Sequence, residues 1–158
     1  MNIWGAVSMN IGAYINGRLS LCWHHHNKEC VCNALQELIV CDQADLCDYF
    51  ILGRLLVEQK RYQYAIKALS SYITLCIENI EQVSHFISNH HKAAIGAEYH
   101  LNIAYLLRAY VYALVGQQEK ALKDLETMMV YSKHSILDNI LWLDGHSDIS
   151  HRSVLALI

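Results

Sequence analysis

The chain has no proline and only seven glycines in 158 residues. A fold of many short strands needs turn residues at frequent intervals, so this scarcity disfavours a β-sandwich and suits helices joined by short connections. Charge is sparse too: 17% of residues are charged and 54% are apolar, where globular domains usually carry about 25% charged. Such a composition predicts apolar surface that wants covering. The net charge is −3, and the twelve Lys and Arg residues are scattered. Nucleic acid calls for a clustered basic face, so it is not an expected partner. Gly-x-Gly-x-x-Gly, Gly-Lys-Ser/Thr and His-Glu-x-x-His are all missing, and with them the phosphate-cradling and zinc-protease signatures. We expect no catalytic residues, no resident metal and no cofactor.

The N-terminal stretch lacks a basic residue before Arg18 and is diluted by Asn2, Asn10 and Asn16. It fits neither a signal peptide nor a membrane span. Six cysteines, at 22, 30, 32, 41, 47 and 76, are then expected as reduced thiols in the cytoplasm or nucleus. Cys22, His24, His25, His26, Cys30 and Cys32 carry the ligand types that zinc prefers, but Cys-x-Cys and His-x-His spacings are poor for chelating one ion.

What is present is helical periodicity. Trp4, Val7, Ile11, Tyr14 and Ile15 mark a helix from Asn2 to about Leu21. Asn27 caps a second, with Val31, Ala34, Leu35, Leu38 and Ile39 on its apolar stripe, ending near Asp42. Asp45 or Asp48 starts a third. From Tyr62 the stripe Ala65, Ile66, Leu69, Ile73, Ile77 and Ile80 extends a fourth towards Ile87, and a loop is expected over Ser88–His91. A lengthened helix follows from about Ala94 to Val115, closed by Gly116, and Glu119–Tyr131 returns along it. Ser135 is expected to cap a short helix through Leu143.

Two stretches repeat one another interval for interval: Tyr49, Leu52, Gly53, Leu56, Tyr62, Ala65, Leu69, and then Tyr105, Arg108, Ala109, Tyr112, Gln118, Ala121, Leu125. Gly53 with Ala65, and Ala109 with Ala121, are small residues placed to let two antiparallel helices approach closely. In this register Arg108 faces Asp124 across the second pair. The equivalents Ala65 and Ala121 lie 56 residues apart, which exceeds the usual repeat of about 34 and places the surplus in an extended second helix, the loop around Asn89-His90-His91 and the lengthened helix that follows.

This pattern resembles the tetratricopeptide (TPR) family. The resemblance implies an all-α fold of TPR-like antiparallel helix pairs stacked in a short right-handed solenoid, as a single domain over 1–158. Its parts would be an N-terminal helix pair (1–44), a first TPR-like unit with an extended second helix (45–91), a second unit (94–132), and a C-terminal helix and tail (134–158). Tyr49 through Arg54, Tyr105 through Ala109 and Trp142-Leu143 further resemble the N-terminal region of the TPR scaffold subunits of the anaphase-promoting complex, of the subunit-eight type. That resemblance implies homodimerisation and a scaffolding role in a cell-cycle ubiquitin ligase.

On this reading the protein is a non-enzymatic scaffold for protein partners, a homodimer, with no membrane association. The groove positions are Phe50, Arg54, Val57 and Glu58 in one unit and Leu106, Tyr110 and Ala113 in the other. Phe50 and Tyr110 would be aromatic anchors, and Arg54 would orient a partner carboxylate. Trp4, Val7, Ile11 and Ile15 are the candidate self-association stripe. Two alternatives stay open: a bacterial TPR chaperone that shields an apolar secreted client, and a zinc-dependent regulatory domain built on the Cys/His cluster.

Overall fold

The computed structural model describes residues 21–22, 24–86, 91–131, 141 and 143–158, with side chains for 21–22, 24–79, 101–128, 141 and 143–158. The expected first helix, with Trp4, Val7, Ile11 and Ile15, lies outside these residues, as does Trp142. Among the described residues there are six helices: α1 Lys28–Val40, α2 Leu46–Glu58, α3 Tyr62–Phe86, α4 His91–Leu114, α5 Gln118–Tyr131 and α6 His151–Leu155. They pack against one another in an all-α arrangement. None is long and apolar enough to cross a membrane.

Local chemistry sets the boundaries. The Asn27 side chain accepts the Cys30 N–H at 3.0 Å and starts α1. The Asp48 carboxylate accepts the Asp45 N–H at 2.7 Å at the start of α2, so both of the expected starting residues take part. The ends of α1, α2 and α4 share one closure. In each, a residue with positive φ just past the helix lets two successive N–H groups bond back to the last turn. After α4 that residue is Gly116, at φ +77°, and Gln117 N–H reaches the Tyr112 carbonyl at 2.8 Å. After α1 and α2 it is Asp42 (φ +55°) and Lys60 (φ +59°), with Gln43 and Arg61 bonding to the Leu38 and Leu56 carbonyls. Tight helix reversals are thus made with few glycines and no proline.

Residue pairs at the seams explain which helices meet. The broadest contacts are α2 with α3 and α4 with α5, followed by α3 with α4. A Cβ built on Gly53 would lie 2.8 Å from Leu69 Cγ and Cδ2, so glycine is what allows α2 and α3 to approach this closely. Ala65, Ala109 and Ala121 are fully buried at the corresponding positions. On α3 the buried residues Ala65, Ala68, Leu69, Tyr72, Ile73 and Cys76 follow one helical stripe. Helix α4 differs. From Leu101 to Ala113 nearly every side chain is buried, because α2, α3, α5 and α6 all touch it.

Three local expectations are corrected. His91 opens α4 and is not part of a loop. The helix expected to run through Leu143 does not reach it: Leu141 pairs with Ile149 in an isolated antiparallel bridge, with bonds of 2.8 and 2.9 Å. Cys22 and Cys30 are joined by a disulfide, while Cys32, Cys41, Cys47 and Cys76 are free. The turn at His25–Asn27 brings the two Cα atoms to 5.6 Å, within the span a disulfide bridges.

Candidate functional site

Helix α2 ends at Glu58 and α3 begins at Tyr62. In the same way α4 ends at Leu114 and α5 begins at Gln118, while Lys28 opens α1. The connections between α2 and α3 and between α4 and α5 are short, so these helix ends gather at one end of the bundle. The segment 143–158 folds back onto this end. It buries Leu143, Ile149 and Val154 against the bundle and carries α6, whose Ser150 cap accepts the Ser153 N–H at 3.1 Å.

His146 makes the central contact. Its Nδ1 lies 2.9 Å from the Tyr110 hydroxyl and its Nε2 lies 2.9 Å from the Val57 carbonyl. A carbonyl only accepts, so Nε2 carries a hydrogen and donates it to Val57. In the neutral ring Nδ1 then accepts from the Tyr110 hydroxyl. The Tyr62 and Tyr110 rings stand edge-on to the imidazole, with centroids at 6.4 and 5.6 Å. Burial holds the Tyr110 phenol above its ordinary pKa, so it stays protonated as a donor.

Beside this contact, the Lys28 ammonium donates to the Glu58 carboxylate at 2.7 Å and also to Asp144. The bond to Asp144, then the bond to Glu58, hold the lysine above its ordinary pKa. The Lys28 bond and charge, with a smaller contribution from Arg54, hold the Asp144 carboxyl below its ordinary pKa. Arg54 itself lies 4.0 Å from Glu58. At the far edge the Gln118 amide donates to the Ile158 carbonyl at 3.1 Å.

The positions expected to line an open groove are therefore largely covered. Val57, Leu106, Tyr110 and Ala113 are buried. The physical reason is twofold: α4 is surrounded by other helices, and residues 143–158 lie over the ends of α2 and α4. Glu58 is mostly enclosed and already paired with Lys28. The Phe50 ring is half-buried, 5.2 Å from the Tyr72 ring. Arg54 remains solvent-facing.

Sequence reasoning did not find His146, Asp144 or Lys28 as members of one site. His146 and Val57 are 89 positions apart, and Lys28 and Asp144 are 116 apart. No local motif links them. In the Cys/His cluster, the disulfide takes Cys22 and Cys30, and Cys32 is fully buried with its thiol pushed up by that burial. Among the described residues no group of three or more His, Cys, Asp or Glu is arranged to hold a metal ion.

Compared with protein-family models, with curated proteins and with solved structures, the chain finds no match in any of the three.

Proposed function

We propose that this chain is a non-enzymatic protein-interaction module built from TPR-like helix pairs, and that its binding face is the end of the bundle formed by α2 and α4. One observation supports the reading above the others. The segment 143–158, which is mostly non-helical, is seated on that face through side-chain contacts at Lys28, Val57 and Tyr110. A surface that holds a peptide-like segment by a charge, a backbone carbonyl and a phenol has the chemistry to hold another. The helix pairs beneath supply a rigid platform, closed by their own seams.

The test is selection of a displayed random-peptide library against the intact, immobilised chain, with selected peptides then titrated against variants. Arg54→Ala and Tyr110→Phe keep the aromatic packing, so helix content by circular dichroism should be unchanged. Loss of affinity of ~10-fold or more in either variant supports the face. Equal affinity in both excludes it. Light scattering of the same sample reports whether the module is a dimer, as the resemblance implies.

A further inference from the structure

We infer that residues 143–158 are an internal ligand of the α2–α4 face, and that the partner of this face is a peptide segment of the same chemistry: a carboxylate, an imidazole two residues later, and an apolar residue three further on. This rests on the interaction-module reading above and adds to it the identity of the competitor and the class of the partner segment. The pattern is supplied here by Asp144, His146 and Ile149. Gly145, at φ +74°, makes the turn that lets the carboxylate meet Lys28 while the imidazole enters between Tyr110 and Val57.

The attachment has the features of a segment that opens locally. Asp144 is 82% exposed and Lys28 41% exposed, so their ion pair is screened and weak. The helix in the segment has five residues, too few to persist without its packing. An isolated bridge ties Ile149, two residues before that helix, to Leu141. By contrast the seams below are independent of it: Gly53 on Leu69 joins α2 to α3, and Arg108 on Asp124 joins α4 to α5. Opening therefore uncovers Tyr62, Tyr110 and the Val57 carbonyl without parting the helix pairs. What keeps the closed state favoured is burial of Leu143, Ile149 and Val154. A partner needs an apolar residue to replace them, which is why the pattern includes one.

The probe is a fluorescein-labelled synthetic peptide of residues 141–158, titrated by anisotropy against the full chain. Weakening the internal ligand with Asp144→Ala and His146→Ala together should raise the affinity of the full chain for the peptide by ~10-fold over wild type. Adding Lys28→Ala should reduce that gain, by no more than the few-fold that an exposed ion pair contributes. Equal affinity for wild type and the double variant overturns the inference, as does absence of binding to the double variant. Hydrogen exchange of the wild-type chain gives a second test that needs no variant. The Ile149 and Val154 amides should exchange through an opening that leaves Leu106 and Val111 protected, and exchange of all four only together overturns it. Library peptides that bind the chain but do not compete with the labelled peptide overturn this inference and leave the interaction module standing. Absence of any selected peptide counts against the module itself.

Discussion

Arg108 grips Asp124 with two parallel bonds, Nε to Oδ2 and Nη2 to Oδ1, each 2.7 Å long, across the seam between α4 and α5. Its remaining nitrogen, Nη1, donates to the Ser70 hydroxyl on α3 at 2.9 Å. One side chain thus ties three helices. The Tyr105 and Tyr112 rings lie 5.5 and 5.7 Å from the guanidinium carbon and shield the pair from water. With side-chain exposures of 16% and 6%, this is an enclosed pair and not a surface one.

Removing one partner of such a pair leaves an uncompensated buried charge. Asp124→Ala should destabilise the fold by about 3–5 kcal/mol. Arg108→Met combined with Asp124→Leu should recover most of that loss, because two apolar groups replace two satisfied charges. Urea unfolding followed by circular dichroism measures both. A single-variant loss under about 1 kcal/mol would mean that the pair behaves as a solvated one.

Gly53→Ala sets two effects against each other. Alanine favours the helix by about 1 kcal/mol over glycine, but its Cβ meets Leu69 Cγ and Cδ2 at 2.8 Å. Leu69 is fully buried, and overpacking of this kind costs about 1–3 kcal/mol. A net loss of roughly 1 kcal/mol is expected from these two terms. In a Leu69→Ala background the same change should become neutral or stabilising, which a double-mutant cycle reads directly.

Lys60 closes α2 from the left-handed region at φ +59°, where a side chain carries a steric penalty that glycine escapes. Lys60→Gly should raise stability by about 0.5–1 kcal/mol. Asp42→Gly should gain less, since aspartate tolerates this conformation better. Thermal melts of the two variants should rank in that order, and the reverse order would contradict the capping account.

The Lys28–Asp144 contact predicts a definite pH window. Asp144 is held below its ordinary value of about 3.9, by the bond from Lys28 first. Its contribution is therefore full above that value and lost as pH falls through the depressed one. Lys28 is held above its ordinary value of about 10.4, first by its bond to Asp144. Its contribution is full below that value and lost as pH rises through the raised one. The stability difference between wild type and Asp144→Asn should be flat from about pH 4 to pH 10 and shrink outside that range. Added salt should shrink it at every pH, because the pair is exposed. A difference that varies steeply around neutral pH would show that another group controls it.

Much of the helical layout was legible along the chain. The Asn27 cap, the period that carries α3 to Phe86, and Gly116 after α4 are all local signals, each complete within a few residues. The two matched sets of small residues also located the tight seams, and the register that opposes Arg108 to Asp124 follows from them. The helix end near Asp42 and the reversal before Tyr62 were legible as well, but the positive φ at Asp42 and Lys60 was not. The residues there are not the ones that usually mark such an end, and the conformation is imposed by the turn that follows.

The covering of the expected groove had no local signal at all. Periodicity records that Leu106, Tyr110 and Ala113 are apolar and share a helix, but an apolar residue on a groove and one in a core look alike in a pattern of spacings. What separates them is whether a distant segment arrives, and residues 143–158 do. The amino-acid order by itself determined the helices, their caps and the close approach of α2 to α3 and of α4 to α5, because each depends on neighbours in sequence or on one residue's size. Only the tertiary structure decided that His146 lies between Tyr110 and Val57, and Lys28 between Glu58 and Asp144. Those contacts depend on where a distant segment and the helix ends meet in space, and no spacing along the chain encodes that meeting.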